Sequence, residues 1–355
     1  RGYLDQCYNC VLDYTFWRAN GLERAHMGQM SDEGANPYSN NMAKFTNKGQ
    51  WLANKQAPDV GWGEEFVASP RGNVIPNAFY ALRVANKVVQ KAPLMSNLTE
   101  AQRTQLLGQA HFFRAWFYFE IIRRVGGMPL LDKAFSSDDD FDVERLTYHQ
   151  STDWIIDQLD LAISLLPDAW PSQEVGCPNK SAAYALKSMA ELYAASPLMC
   201  NPIDKIENNG YDVERAKKAA QYAKECLEYI DVTAPKHKMM PGNQYKHIFY
   251  HFPNYYSDES LWYLNSVGQN RNGQPDLPIH WQNIHWSKRA GNYGQANVSV
   301  SQNLVNKFET INGYKAELTA TGWVSDDPAF NPANPYANRD PRFDAYGLEI
   351  GRAHV

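Results

Sequence analysis

The sequence predicts a mainly α-helical protein in which tetratricopeptide-like helix pairs support a loop-rich, ligand-binding portion. Three observations lead to this prediction. Apolar residues recur at helical spacing from about residue 76 to residue 230, two capping boxes mark helix starts, and one segment is dense in alanine. Two other stretches, about 28–72 and 241–302, lack helical periodicity. The helix spacing is too irregular for the repeat itself to count as established.

The composition is that of an aromatic-rich globular chain, and it argues against several functions. The 355 residues are enough for one large domain or two ordinary ones. Lys and Arg total 34 against 39 Asp and Glu, and the net charge of -5 argues against nucleic acid as a partner. No stretch is long and apolar enough to span a bilayer. We expect a single domain over residues 1–355.

The longest helix is predicted to run from Thr99 to Val125. Thr99 and Gln102 form a capping box at its start, and Gly126 supplies a left-handed stop at its end. The segment from about Pro76 to Lys91 has apolar residues at helical spacing and should pair with it. Aromatic residues at helical spacing in the longest helix are expected in the core: Phe112, Phe113, Trp116, Phe117 and Phe119.

Two further helical units are predicted along the chain. A second capping box begins at Thr147, ahead of a helix that Pro167 closes. The alanine-rich segment from Ser181 to Ser196 should allow close approach of another helix, and Pro197 is expected to end it. Asp212 is the expected N-cap of the third unit. The helix-pair scaffold should therefore extend over about 76–230.

Candidate ligand-binding residues lie in the two loop-rich stretches. Long loops are usually functional or disordered, and disordered segments are poor in aromatic residues, so these loops are expected to be ordered. Aromatic rings stack on the apolar faces of sugar rings, while amides, carboxylates and guanidinium groups bind the hydroxyls. The predicted binding residues are Asp32, Trp51, Asn54, Trp281, Trp286, Arg289, Asn292 and Tyr293. Packing of Trp51 onto the core and a solvated turn at Asp32 remain open alternatives.

Sequence signals for catalysis and for metal binding are weak. Phosphate-loop, zinc-protease and nucleophile-elbow motifs are absent from the sequence. A glycosidase needs only two carboxylates, however, and Glu64, Glu65, Asp258 and Glu259 could supply a pair. The acidic run from Asp138 to Asp142 lacks the glycine and the final glutamate of a calcium loop. We expect no cofactor, and a structural calcium ion held by loop carboxylates is left open.

Four segments, in the same order along the chain, resemble one known family. They begin at Gln109 (QAHFFRAWFYFEIIRRVGGMPLLDK), Asn179 (NKSAAYALKSMAELYAASPLMCNP), Val300 (VSQNLVNKFETING) and Asn334 (NPYANRDPRF). Together they resemble the SusD/RagB family of outer-membrane nutrient-binding lipoproteins of starch-utilisation type. Members of that family begin earlier and continue further, so the resemblance implies that this chain is truncated at both ends.

The resemblance implies a SusD-like α-α superhelix of four tetratricopeptide-like helix pairs, with the ligand held by loop-rich portions. It implies a non-catalytic protein on the outer face of the cell outer membrane, held there by a lipid anchor absent from this chain. The implied partners are an oligosaccharide and a SusC-like TonB-dependent transporter, which the protein covers. Two alternatives stay open: an oligopeptide-binding member of the same family and, with less support, an α-helical glycoside hydrolase.

Overall fold

The chain folds into two units. The structure is a computed structural model, and it describes residues 2–11, 31–32, 34–35, 74–171, 174, 176–200, 210–233, 237–244, 258–262 and 299–345. The first unit comprises Arg1–Leu12, Pro58–Met240 and Tyr256–Asn265. The second comprises Asp13–Ala57, Pro241–Tyr255 and Ser266–Val355. Each unit is thus assembled from segments that lie far apart in the sequence. The predicted single domain, with its scaffold at about 76–230 and binding portions at about 28–72 and 241–302, stays a prediction.

The first unit is built from helices, which confirms the predicted mainly α fold class. Along the chain these are α1 Asp5–Cys10, α2 Val74–Lys91, α3 Glu100–Val125, α4 Tyr148–Leu165, α5 Lys180–Ala194, α6 Pro197–Cys200 and α7 Val213–Val232. Helix α2 packs on α3, α3 on α4, α4 on α5, and α5 on α7. Packing of each helix on the next along the chain is typical of stacked helix pairs. Among the helices of the described ranges, none is both long and apolar enough to cross a membrane.

The predicted helix ends are largely confirmed. The Thr99 hydroxyl accepts from the backbone amide of Gln102 at 3.2 Å, and the Gln102 side chain accepts from the Thr99 amide at 3.0 Å. Thr147 and Gln150 make the same reciprocal pair, and Asp212 caps α7 through two backbone amides. These local contacts place three helix starts within one residue of the predicted positions.

Of two predicted helix ends, the one at Gly126 is confirmed and the one at Pro197 differs. Gly126 follows α3 with φ of 83°, as predicted, because glycine adopts positive φ without steric cost. Pro197 was expected to end the alanine-rich helix, but α5 already ends at Ala194. Pro197 instead opens the short helix α6, because proline lacks only an amide that the first turn of a helix leaves unpaired.

The core of the first unit is centred on α3. Fourteen of its 26 residues are buried, including Phe112, Phe113, Phe117 and Phe119, as the sequence predicts. Trp116 is half-buried and packs against the same core. Trp262, from the second loop-rich stretch, joins this core with its ring 5.0 Å from that of Phe112 and 5.0 Å from that of Trp116. At least one aromatic ring of that stretch therefore packs in the core.

The second unit contains short strands and helices around a small core. Strand β1 (Gly34–Ala35) pairs antiparallel with β2 (Ser299–Val300), and β3 (Ala316–Thr319) pairs antiparallel with β4 (Gly322–Ser325). Helices α8 (Gln302–Lys307) and α9 (Pro341–Ala345) contribute the buried Val305 and Phe343. Partly buried rings pack around these two residues: Phe308, Trp323 and Tyr336.

Candidate functional site

Asp32 is the one predicted binding residue that lies within the described ranges. Its side chain is exposed, and it precedes β1 by two positions. Seven predicted binding residues lie outside the described residues: Trp51, Asn54, Trp281, Trp286, Arg289, Asn292 and Tyr293. Their assignment to a binding site therefore stays a prediction, as does the role of the Asp32 carboxylate.

The position of Asp32 is fixed by contacts with a segment 269 residues further along the chain. The Ser301 hydroxyl donates to the backbone carbonyl of Asp32. The same hydroxyl accepts from the Leu304 amide at 3.1 Å and so caps α8. Next to this contact, Gly34 pairs with Val300 and Ala35 pairs with Ser299. The first loop-rich stretch is thereby joined to the end of the second one.

Arg339 holds together the backbone of α8, β3 and the loops beside them, and we call these segments the platform. Its guanidinium donates to five backbone carbonyls, those of Val305, Phe308, Glu309, Pro335 and Ala316. These oxygens come from α8, from β3 and from the loops beside them, so one side chain holds several backbone segments together. Burial lowers the pKa of this guanidinium from its ordinary value.

The guanidinium of Arg339 also lies between two aromatic rings. Its central carbon is 5.5 Å from the Trp323 ring and 5.3 Å from the Phe343 ring, distances typical of cation–π contacts. Arg339 lies in the segment NPYANRDPRF, one of the four that carry the family resemblance, but local sequence patterns do not indicate its structural role. That role is to support the backbone of α8, β3 and the loops beside them.

A second polar contact stiffens the same platform. The Asn312 amide donates to both carboxylate oxygens of Asp327, at 3.1 Å and 3.3 Å, and the Ala329 amide donates to Asp327 at 2.9 Å. Hydrogen bonds from Thr310, Ala329 and Asn312 lower the pKa of the Asp327 carboxyl. The carboxylate is therefore ionised at neutral pH and is occupied by structural partners.

The carboxylates considered for glycosidase chemistry have structural partners where they are described. Asp258 forms an ion pair with Lys238 at 3.4 Å, and Glu259 accepts from the Met240 amide at 3.1 Å. Glu64 and Glu65 lie outside the described residues. In the described geometry Asp258 and Glu259 therefore stabilise their loop. The described residues do not show these two carboxylates directed at a common glycosidic bond.

Metal-binding signals are equally weak in the part of the chain that the structure describes, where no group of three His, Cys, Asp or Glu side chains converges. In the acidic run the Asp139 carboxylate accepts from Lys133 and Ser136, and these contacts lower its pKa to about 2. Cys7 and Cys10 are buried thiols, and burial raises the pKa of Cys7 well above its ordinary value. A buried neutral thiol is a poor nucleophile and a poor metal ligand.

Comparison with known proteins gives one family and one fold. A family model for SusD-like proteins, described as starch-binding and associating with the outer membrane, matches residues 10–192, just over half of the chain. SusD-like protein P2 from Formosa agariphila is 28% identical over 110 residues, which are 31% of this chain and 22% of that protein. This chain therefore spans less than a quarter of the curated relative.

Solved structures extend the likeness over nearly the whole chain. A SusD-like protein from Bacteroides fragilis aligns with a TM-score of 0.67 at 21% identity, covering 97% of this chain and 58% of that one. Surface glycan-binding protein A from Bacteroides uniformis aligns with a TM-score of 0.56 at 17% identity, covering 92% of this chain and 65% of that one. At these identities the likeness establishes a SusD-type helical fold, in which this chain spans less than two thirds of each protein.

Proposed function

Since the chain belongs to the SusD-like family, we propose that it is a non-catalytic binding protein for oligosaccharides at the cell surface. The family model is described as starch-binding and as associating with the outer membrane. A solved protein of the same fold is a surface glycan-binding protein, which favours a carbohydrate ligand for this chain as well. The ligand is proposed to be an oligosaccharide long enough to contact several side chains at once.

The pairing of β1 with β2 is the observation that most supports a single shared site. Asp32 belongs to the first loop-rich stretch, and the remaining candidates come from both stretches. Because the β1–β2 pairing and the Ser301–Asp32 contact join the two stretches, residues from both can contribute to one binding surface. Aromatic rings would stack on sugar faces there, while carboxylate, amide and guanidinium groups would bind the hydroxyls.

Absence of catalysis is part of the proposal, and the described carboxylates support it. Asp258 and Glu259 are engaged by Lys238 and by the Met240 amide. A glycosidase requires one carboxyl to act as acid and another to act as base or nucleophile at a single glycosidic bond. Two adjacent residues that stabilise a loop do not meet that requirement.

Delivery to a transporter completes the proposal. We assign the protein a SusC-like TonB-dependent partner in the outer membrane and a lipid anchor outside this sequence. A surface protein that only binds sugar would hold its ligand outside the cell. Transfer of the oligosaccharide to an energised transporter would allow its uptake into the cell. The helical scaffold would supply the surface that contacts this partner.

Binding panels test the proposed ligand class directly. The purified chain is titrated calorimetrically with α-glucan, β-glucan and other oligosaccharides, and in parallel with a panel of oligopeptides. We expect binding to at least one glycan class with Kd in the micromolar to millimolar range, about -8 to -4 kcal/mol, because open sugar sites stay hydrated. Binding to peptides alone would replace the glycan proposal with the peptide-binding alternative.

The same samples test for catalysis. The glycan that binds most tightly is incubated with the protein, and products are followed by chromatography over a day. We expect the oligosaccharide to be recovered intact. Turnover that disappears in the Asp258→Asn, Glu259→Gln double variant would establish a hydrolase and overturn the non-catalytic proposal.

A further inference from the structure

Helix α7 buries few of its side chains for its length. Only Ala219, Cys226 and Ile230 are buried among its 20 residues, whereas α3 buries fourteen of 26. Apolar burial is the main source of helix stability in proteins, so α7 needs other contacts to stay in place.

Polar contacts supply that attachment in three groups, which we call rungs. In the first rung the Arg215 guanidinium of α7 donates to Asp153 of α4 at 2.9 Å and to Glu191 of α5 at 3.1 Å. The Arg215 and Glu191 side chains are largely buried, while the Asp153 side chain is 60% exposed. One buried cation therefore connects three helices.

The second rung is centred on a lysine of α5. The Lys187 ammonium lies 2.6 Å from Asp160 of α4 and 4.2 Å from the centre of the Tyr222 ring of α7. Lys187 is buried, whereas the Asp160 side chain is 54% exposed. A cation over an aromatic face is favourable, and it is more so when it is shielded from water.

The third rung is centred on a carboxylate that lies three residues beyond α4. Asp168 accepts from the Tyr229 hydroxyl of α7 at 2.7 Å and pairs with Lys180 of α5 at 3.0 Å. The Tyr184 ring of α5 packs 5.0 Å from the Tyr229 ring. This rung again joins the same three parts of the unit.

The rungs follow one another in register. Arg215, Tyr222 and Tyr229 are spaced seven residues apart and so lie on one face of α7. The aspartates of the three rungs, Asp153, Asp160 and Asp168, occur in the same order along the chain, which means that α4 and α7 run parallel across α5. The three rungs form a continuous ladder along the length of α7.

We propose that this ladder acts as a polar latch, and that α7 opens and closes as a unit while the α3 core stays folded. The three aspartates of the ladder are about half exposed, whereas the Arg215, Lys187 and Glu191 side chains are largely buried, so separation of the helices returns both partners of each pair to water and recovers their hydration. An opening of this kind costs less than exposing an apolar interface, and proteins open locally along their least stable units. Among the long helices of the described ranges, α7 has the fewest buried side chains.

Amide hydrogen exchange measured by mass spectrometry tests the latch in the intact chain. The triple variant Asp153→Asn, Asp160→Asn, Asp168→Asn removes three charges with almost no change of shape. We expect exchange in α7 peptides to accelerate at least about tenfold, while α3 peptides exchange as in the wild type. The single variant Asp160→Asn serves if the triple variant does not fold, and it should show the same selectivity with a smaller change.

The matched control is Glu214→Gln, which removes an exposed ion pair with Lys217 inside α7 itself. This control should leave α7 exchange within about twofold of the wild type, because exposed pairs contribute little. Equal acceleration of α7 and α3 in the Asp variants would mean that the unit unfolds as one and would overturn the proposal. Unchanged α7 exchange would overturn it as well.

Discussion

Arg339 shows how much of the second unit depends on a single side chain. It is 2% exposed and donates to five backbone carbonyls. The Val305 carbonyl also accepts from the Phe308 amide and the Glu309 carbonyl from the Asp340 amide, whereas Arg339 connects carbonyls of α8, β3 and the neighbouring loops through one side chain. The platform beside Asp32 is therefore organised by one cation, with the neighbouring aromatic rings shielding it from water.

Replacing Arg339 by methionine should destabilise the chain by at least about 3 kcal/mol, because several buried carbonyls lose a charged donor at once. Urea denaturation of wild type and variant measures this difference. The matched control is Arg342→Met, in the same segment, whose side chain is 62% exposed and pairs with Asp340. The control should lose less than about 1 kcal/mol, and equal losses in the two variants would contradict the role given to Arg339.

The tryptophans outside the described residues provide the most direct test of the sugar site. Alanine at Trp51, Trp281 or Trp286 should weaken glycan binding by about 1–3 kcal/mol, because a large rigid stacking surface is lost. Titration calorimetry on each purified variant, with circular dichroism as a check of folding, measures the effect. If all three variants bind as tightly as the wild type, the site assignment is wrong.

Trp262 is the matched control for those variants, since it belongs to the same loop-rich stretch as Trp281 and Trp286 but packs on Phe112 and Trp116. Its indole also donates to the Gly176 carbonyl at 2.8 Å. Trp262→Ala should therefore lower the melting temperature and leave the affinity of the folded fraction for glycan unchanged.

At the scale of elements, the sequence predicts what local contacts decide and misses what distant contacts decide. The capping boxes at Thr99 and Thr147 join residues three positions apart, so spacing alone reveals them. The rung between Arg215 and Asp153 joins residues 62 positions apart, and the Ser301–Asp32 contact joins residues 269 apart. No local pattern specifies such pairs, because they depend on how whole helices and strands are placed.

The junction between α3 and α4 depends on a glycine that local patterns did not identify. A Cβ atom on Gly127 would lie 2.1 Å from the Leu146 carbonyl oxygen and 2.5 Å from the Thr147 carbonyl carbon. Gly127→Ala should therefore cost about 3 kcal/mol or more, since backbone atoms at the start of α4 would have to move. Thermal or urea unfolding measures the loss. Gly242→Ala is the control, because no atom lies within 4 Å of the added carbon there.

Acid should weaken the third rung of the ladder in a predictable direction. The Tyr229 hydroxyl and Lys180 lower the pKa of Asp168, so its folded-state pKa lies below the unfolded value of about 3.9. Its contribution to stability is present above that unfolded value and is lost as the pH falls through the folded pKa.

Urea midpoints measured from pH 6 down to pH 2 test this direction. We expect the wild type to lose stability more steeply than Asp168→Asn at the acid end of this range, with the two curves converging at the lowest pH. Asp231→Asn, which changes an exposed residue of α7, controls for net charge alone. Parallel curves for the wild type and Asp168→Asn would show that the rung does not titrate as described.

At the scale of the whole molecule, the helical unit exposes apolar side chains on the outer faces of two neighbouring helices. Leu161 on α4 is 45% exposed and Leu192 on α5 is 56% exposed. Single exposed leucines are ordinary on protein surfaces, so their role has to be tested against a partner rather than inferred from exposure. The proposed transporter is that partner, and it would bury these faces.

A permanent contact with a SusC-like transporter should bury on the order of 2,000 Å² or more, because it has to persist while the transporter takes up its ligand. The full-length, lipid-anchored protein should therefore co-purify with a TonB-dependent transporter from outer membranes in mild detergent. Leu161→Asp with Leu192→Asp should reduce this recovery and leave glycan binding intact, since buried unpaired charges weaken an interface. Leu318→Asp, on the exposed hairpin of the second unit, is the matched control. Recovery of the wild type without any transporter, while glycan binding persists, would leave only a free surface-binding protein.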